Sequence, residues 1–402
     1  MSPLPSHLHL KNSPLGLFSL FFLFLLLTGC GGGVDSGGTG AAAASASANG
    51  PITGFGSVIV NGVHFDESHA SITDADGQSH HREDLKLGMT THIRGSAFVV
   101  NGTETRSVAD SIVFSSAILG PIESIDMLAR KITMLGQLVD VNSTTVFDDS
   151  LTGGLTALTV GDVIEVYALF DGANGNYSAT RIERKSGVAA YELRGAANNL
   201  NTTLEELSIG NLRISYAGID PKEIPPSLAN GRPVRVKLQT AMTTGVRSAM
   251  HLQDGVSQLG EHDEVRIDDL IGNYSLNRQF TIEGVPVDAA QASVSGNAGL
   301  GVGMRVEIEG TVRGGVLVAT KVRTKTQSEV EGEGFELDGS IAQLDLVNRT
   351  LVVNGISVDY SGSVEFRDGT IADMAVGKKV EIKGTLSSDR TGLSAVRIKF
   401  EN

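Results

Sequence analysis

Beyond residue 50 the chain alternates apolar and polar positions in short runs, the period of two that marks half-buried strands. VIEVYA at 163–168, VRVKLQ at 234–239, RVEIEG at 305–310 and KVEIKG at 379–384 each put aliphatics on one face and mostly charges on the other. A glycine stands shortly upstream of each run, at Gly161, Gly231, Gly303 and Gly377, and Gly88 stands likewise before THIRG at 91–95. Downstream of each run a small residue precedes an aliphatic one by three: Ala109 and Ile112, Ala179 and Ile182, Ala249 and Leu252, Ala319 and Val322, Ala395 and Ile398. The alanines are spaced 70, 70, 70 and 76 residues apart, so one unit is repeated five times. Earlier in each unit two short strands meet at a glycine turn, as in SVIVNGVHF, ITMLGQLVDV, LSIGNLRIS, FTIEGVPVD and LVVNGISVD. These signals predict units over 50–118, 119–187, 188–257, 258–327 and 328–402.

Within a unit the order is strand, strand, short third strand, a brief turn or helical segment such as DGTIADMAVG at 368–377, then a closing hairpin. That is the element order of an OB-type barrel, in which closure removes the exposed strand edges that invite aggregation. The expected fold class is all-β: a tandem array of about five small OB-like five-stranded barrels. A unit of this size alone buries only about 60% of its unfolded surface, so neighbours should lean on one another.

Composition agrees, with 49 Gly, no Trp and 41% apolar residues. Charge narrows the partners. The net charge is −14, from 46 acidic against 32 basic residues, and no Lys/Arg block is present to neutralise a phosphate backbone. Nucleic acid is not expected as a partner.

The N-terminal segment carries Lys11 and then LGLFSLFFLFLLL at 15–27. Thirteen residues at 1.5 Å rise span about 20 Å, too short for a ~30 Å hydrocarbon layer, so the run reads as a signal-peptide core. Leu27, Thr28, Gly29 and Cys30 follow it, and the chain holds 1 cysteine. These four resemble the lipobox of bacterial lipoproteins, which implies cleavage after residue 29, lipidation of Cys30 and a membrane anchor. Residues 30–49 are the lipidated cysteine and a Gly/Ala/Ser linker without apolar period, expected to act as a tether with a coil span of roughly 24 Å. By resemblance to lipoprotein sorting, Gly31 in place of Asp implies the outer membrane of a Gram-negative bacterium.

Residues 50–187 also resemble the bacterial family called domain of unknown function 5666. GFGSVIVNGVHFD, DLKLGMTTHIRG, GPIESID, GQLVDVNSTTVFD, LTVGDVIEVYALFDGANG and YSATRIE carry the likeness. It weakens in 188–257, where PKEIPPSLANG replaces the usual turn, and partly recovers in 258–402. The resemblance implies a β-barrel repeat at the cell envelope and assigns no activity.

Enzyme motifs are missing: no GxSxG, HExxH, CxxC or Walker pattern occurs. The glycines at 299, 301 and 303 precede a strand rather than a helix, so they read as a turn, not a phosphate cradle. DADGQ begins like a calcium loop at Asp74, but Ser79 and Leu85 stand where that loop needs Gly and Glu. An Asp-Gly hairpin turn accounts for the same letters. Phe65, Phe147, Phe280 and Phe366 fall at core positions, whereas Tyr167 occupies the slot of Arg94, Lys237, Glu309 and Lys383 and is expected to point outward.

One cluster remains. Of seven histidines beyond the signal segment, five lie in the first unit, at His64, His69, His80, His81 and His92, with Asp66, Glu67, Asp74 and Asp76 nearby. Imidazole with carboxylate suits zinc or copper, so His64, His69, His80 and His92 are candidate metal ligands. Against this, His80 and His81 point to opposite sides of a strand, and His92 shares its register with Glu165, Arg235, Glu307 and Glu381 on a solvated face. The sequence thus favours a non-enzymatic envelope lipoprotein without cofactor, its barrels a binding or scaffold array for an envelope protein or polysaccharide. A periplasmic carrier of a metal ion or oligosaccharide is the alternative.

Overall fold

The alternating runs form strands that close on themselves five times in a computed structural model, which describes residues 45–171, 175–256, 259–261, 263–296 and 299–401. The apolar run 15–27, the lipobox Leu27–Cys30 and residues 31–44 lie outside the described residues.

Barrel 2 shows the plan most simply. Its strands are Ile118–Asp126, Lys131–Met134, Gln137–Phe147, Val163–Asp171 and Asn176–Lys185. The first three pair antiparallel in order, the third pairs parallel with the fifth, and the fourth bridges the fifth back to the first. This 1-2-3-5-4-1 ring is the OB-type closure the element order predicts. The same ring recurs four times. Barrel 1 uses Ser45–Phe55, Val58–Val60, Val63–Asp66 continued by Ser71–Asp74, Thr90–Ser96 and Glu104–Phe114. Barrel 3 spans Tyr191–Ala196 to Val246–Asp254, barrel 4 Glu264–Leu270 to Val316–Lys325, and barrel 5 Phe335–Asp345 to Leu393–Phe400.

Two local devices close each ring. The glycine before strand four has positive φ in all five barrels, at Gly88, Gly161, Gly231, Gly303 and Gly377. Its N–H donates to the bend of strand one: to Ile52, Ile122, Ala197, Ile271 and Ile341 carbonyls at 2.7–2.9 Å. A left-handed residue is needed there to reverse the chain, which is why glycine recurs. The second device is a β-bulge between strands four and five, beside the recurring alanine. Ala109 pairs with Gly95, Ala179 with Ala168, Ala249 with Leu238, Ala319 with Gly310 and Ala395 with Gly384, each next to a register shift. The bulged residue kinks the strand and lets a small barrel close. Thr180 and Thr320, which hold that extra position, donate their hydroxyls to the Tyr167 and Glu309 carbonyls at 3.1 Å.

The barrels are not beads in sequence order. Barrels 1, 4 and 5 share one 20-stranded sheet, and barrels 2 and 3 share one of 11 strands. The link in the larger sheet is strand one of barrel 1. Ala46–Asn49 run parallel to Glu264–Ile267 of barrel 4, and Gly54–Phe55 run parallel to Glu336–Leu337 of barrel 5. The side chains of barrels 1 and 5 merge into one apolar cluster, those of barrels 2 and 3 into a second, and barrel 4 keeps its own.

This corrects two expectations. Residues 45–49, read as the end of the tether, are strand, and Ala46, Ser47 and Ala48 are fully buried between strand four of barrel 1 and strand one of barrel 4. Their small side chains look like linker, yet the segment is a strand paired along both of its edges. Tyr167 does point out of its own barrel, yet it is buried, because barrel 1 covers that face and takes the ring into its apolar cluster. Phe65, Phe147 and Phe280 are core residues as expected, and Phe366 is half-buried against Phe400.

Candidate functional site

The junctions between barrels carry the chemistry. At the first, the Asp-Gly turn after Ser71–Asp74 of barrel 1 projects Asp76 onto barrel 3. There Arg235 holds it at 2.7 Å and Lys237 at 2.5 Å, while Arg235 also pairs with Glu192 at 2.5 Å. Burial by itself would raise the Asp76 pKa, but the two cations hold it below the usual carboxylate range. A polar cavity of about 410 Å³ opens beside this contact, lined by His80, Glu165, Tyr167 and Lys185 among others.

A larger cleft of about 1000 Å³ separates barrels 1, 2 and 5. Phe55, Leu87, Val146 and Phe147 form its apolar wall, and Arg82, Lys86, Arg181 and Arg184 stand on its rim. The rim cations are engaged: Arg82 with Glu67, Arg181 with Glu183 at 2.6 Å, Arg184 with Asp162 at 2.9 Å, and Lys86 with the Glu83 carbonyl.

The four candidate histidines go to separate places. His64 lies 3.3 Å from Ser57 Oγ and 4.0 Å from Glu336 of barrel 5. His69 is exposed on a turn. His80 sits 3.2 Å from Asp74 and 3.5 Å from Asp84 with its ring edge-on to Phe114. His92 is half-buried where barrels 1, 3 and 4 meet, and burial pushes its pKa down. The structure therefore does not assemble the metal site the first unit suggested. The four lie on different elements, His64 on strand three, His69 on a turn, His80 after the Asp-Gly turn and His92 on strand four, and only His64 and His92 face other barrels.

Among the described residues one trio of ligand-type groups does converge, Asp268, Glu307 and Glu333, with atoms within 4.8 Å of one another. A cation of the chain itself fills it. Lys325 Nζ lies 2.8 Å from Asp268 and 2.7 Å from Glu307 and also contacts Glu333, while Arg305 clasps Asp268 through two bonds of 2.9 Å. The ammonium takes the position a metal would, so this nest is a buried ion-pair network. The sequence gives no local sign of it, because the four residues lie on three strands and a connector that only the closed barrel brings together.

The repeats have counterparts elsewhere. Residues 120–183, 266–323 and 338–399 match the family described as Domain of unknown function (DUF5666). Three of the five barrels resemble DUF5666. They are barrels 2, 4 and 5, so the DUF5666 match covers the recovered likeness in 258–402 but none of barrel 1, whose text had also carried it. No curated protein sequence matches the chain. Among solved structures, "drosophila Unr CSD456" is similar at 12% identity over 46% of this chain and 88% of its own, with a TM-score of 0.15. That score is too low to argue from.

Proposed function

We propose that the chain is a lipid-anchored envelope lipoprotein whose five barrels, three of them resembling DUF5666, form one binding scaffold without catalytic chemistry. The observation that carries this reading is the shared first strand, Ser45–Phe55. It hydrogen-bonds to two other barrels and begins fifteen positions after Cys30. A tether attached to that strand pulls on the hub of the assembly rather than on one terminal repeat. Backbone ladders between barrels fix their relative placement far better than a flexible connector does, which suits presentation of clefts to a partner. Most ionic groups at the junctions among the described residues are mutually paired, and the one hydroxyl beside an imidazole described above, Ser57 next to His64, lines none of the clefts described here.

Cell fractionation of wild type and Cys30→Ser tests the anchor. The wild type is expected with the membranes and the variant released or mislocalised, since acyl chains contribute ~0.8 kcal/mol per CH₂ to membrane attachment. A Cys30→Ser chain that is processed and stays with the membranes overturns the lipoprotein reading.

A further inference from the structure

In four of the five barrels the turn from strand one into strand two leaves a large apolar side chain in solvent. These turns are 126–131 in barrel 2, 201–206 in barrel 3, 275–279 in barrel 4 and 345–350 in barrel 5. Leu128 is 97% exposed, Val347 91% and Leu276 87%, and Leu204 is exposed in the same turn of barrel 3. The turns are held in place. Asp126, Asn201 and Asp345 each accept two backbone N–H groups of their own turn at 2.8–3.0 Å. The left-handed residue near the end of each turn, Arg130, Glu205, Arg278 or Arg349, offers its carbonyl to a later part of its own barrel at 2.8–3.0 Å. A single exposed apolar residue is ordinary. One that recurs on the same fixed turn of four repeats is a surface feature.

Charge narrows what that surface suits. At barrel 2, Arg130 follows Leu128 by two positions, and the closing hairpin of barrel 5 brings Arg390 to the same place, where it donates to the Asn142 carbonyl at 2.5 Å. Neither guanidinium has an ion pair among the described residues. Burial, and with it the charge of Arg130, holds the Arg390 pKa below the usual arginine value. Two like charges without a carboxylate make a positive spot on a chain of net charge −14, and guanidinium matches phosphate oxygens in geometry. Arg278 and Arg349 follow Leu276 and Val347 by two positions as well.

We propose that the 126–131 turn of barrel 2, with Arg390 beside it, is a contact point for an anionic phospholipid surface. Met127 and Leu128 enter the acyl boundary while Arg130 and Arg390 take the phosphates. A soluble anion would use the arginines and leave Leu128 in water, and an apolar protein pocket would take the leucine without need of the arginines. A lipid interface uses both. Barrel 3 supplies the contrast, because Glu205 and Glu206 stand there in place of Arg130 and Lys131 and would be repelled by the same phosphates.

The proposal goes beyond the scaffold reading and rests on it only for bringing the chain to a membrane. The test uses the full chain reconstituted in vesicles of phosphatidylcholine, with and without phosphatidylglycerol, whose acyl chains carry bromine. The chain has no tryptophan, so Leu128→Trp and Leu204→Trp each place one reporter on an exposed turn. In the anionic vesicles the Leu128→Trp emission is expected to shift to the blue and be quenched, while that of Leu204→Trp stays as in water. Adding Arg130→Gln to Leu128→Trp should lower the ratio of inserted to free turns about fivefold, the factor one cation supplies near an anionic surface. Leu128→Trp emission that stays as in water, or is quenched no more than that of Leu204→Trp, overturns the proposal. So does quenching that responds neither to phosphatidylglycerol nor to Arg130→Gln. Fractionation of Cys30→Ser reads the anchor separately: an anchored chain with unquenched Leu128→Trp sinks this proposal alone, and a failed anchor leaves the quenching readable.

Discussion

At single positions, backbone conformation explains more of this repeat than side-chain chemistry does. Five glycines precede strand four, and their left-handed φ of +77° to +93° is what L side chains resist. The surroundings differ, which makes a clean comparison. A Cβ on Gly161 meets nothing within 4 Å, whereas one on Gly88 lands 2.4 Å from the Thr180 carbonyl of barrel 2. Gly161→Ala is therefore expected to cost only the conformational term, about 1 kcal/mol. Gly88→Ala must also part barrels 1 and 2 locally and should cost about 2–4 kcal/mol. Urea denaturation of both variants checks this, and equal losses would show that the inter-barrel contact at Gly88 contributes nothing. These glycines were legible in the sequence because their spacing is that of the repeat. Tyr167 shows the limit of such reading: its outward register was correct, but a strand pattern says which face a residue takes and not what packs onto that face.

Elements were legible where the signal is local and obscure where it joins barrels. Alternation, glycine turns and the recurring alanine predict the ring of strands, and the bulge gives the alanine its reason. The segment SASAN at 45–49 carries no apolar alternation, so composition pointed to a linker. The connector between barrels 4 and 5 is similar. Its short helix Gln327–Glu331 is capped by Thr326 and Glu329, and it delivers Glu333 to Lys325 at the end of barrel 4. Burial would lower the Lys325 pKa, yet Asp268 and the neighbouring glutamates hold it above the usual lysine value. Lys325→Met leaves three carboxylates facing Arg305 alone, and breaking a buried network in this way costs about 3–5 kcal/mol. Calcium should restore part of that loss in the variant and none in wild type, where the ammonium holds the position. Thermal melts with and without Ca²⁺ decide it. A variant as stable as wild type would mean that the network is not a structural pin.

On the scale of the whole molecule, repeats adjacent in sequence are not the only neighbours, and no one-dimensional pattern announces that barrel 1 touches barrels 4 and 5. The non-consecutive contact between barrels 1 and 3 rests on Asp76, whose side chain is 20% exposed while that of Arg235 is 11%. Burial opposes ionisation of Asp76, but Arg235 and Lys237 prevail and hold its folded pKa below the usual carboxylate range. The sign follows from linkage. A carboxyl with a depressed folded pKa contributes stability that is complete above its unfolded value and is lost as pH falls through the folded one. Acidification below about pH 4 should therefore loosen the junction between barrels 1 and 3 before the strands themselves give way. Asp76→Asn should show the loosened junction already at neutral pH, at a cost of about 1–3 kcal/mol because Arg235 keeps only Glu192. Hydrogen exchange resolved by peptide reads this directly. Faster exchange over 71–78 and 233–239 is expected in the variant at pH 7 and in wild type only in acid, with 163–168 of barrel 2 as the internal reference. Exchange in the variant that matches wild type at both pH values would mean that apolar burial of Tyr167 and its surroundings, not the ion pairs, holds barrel 1 in place.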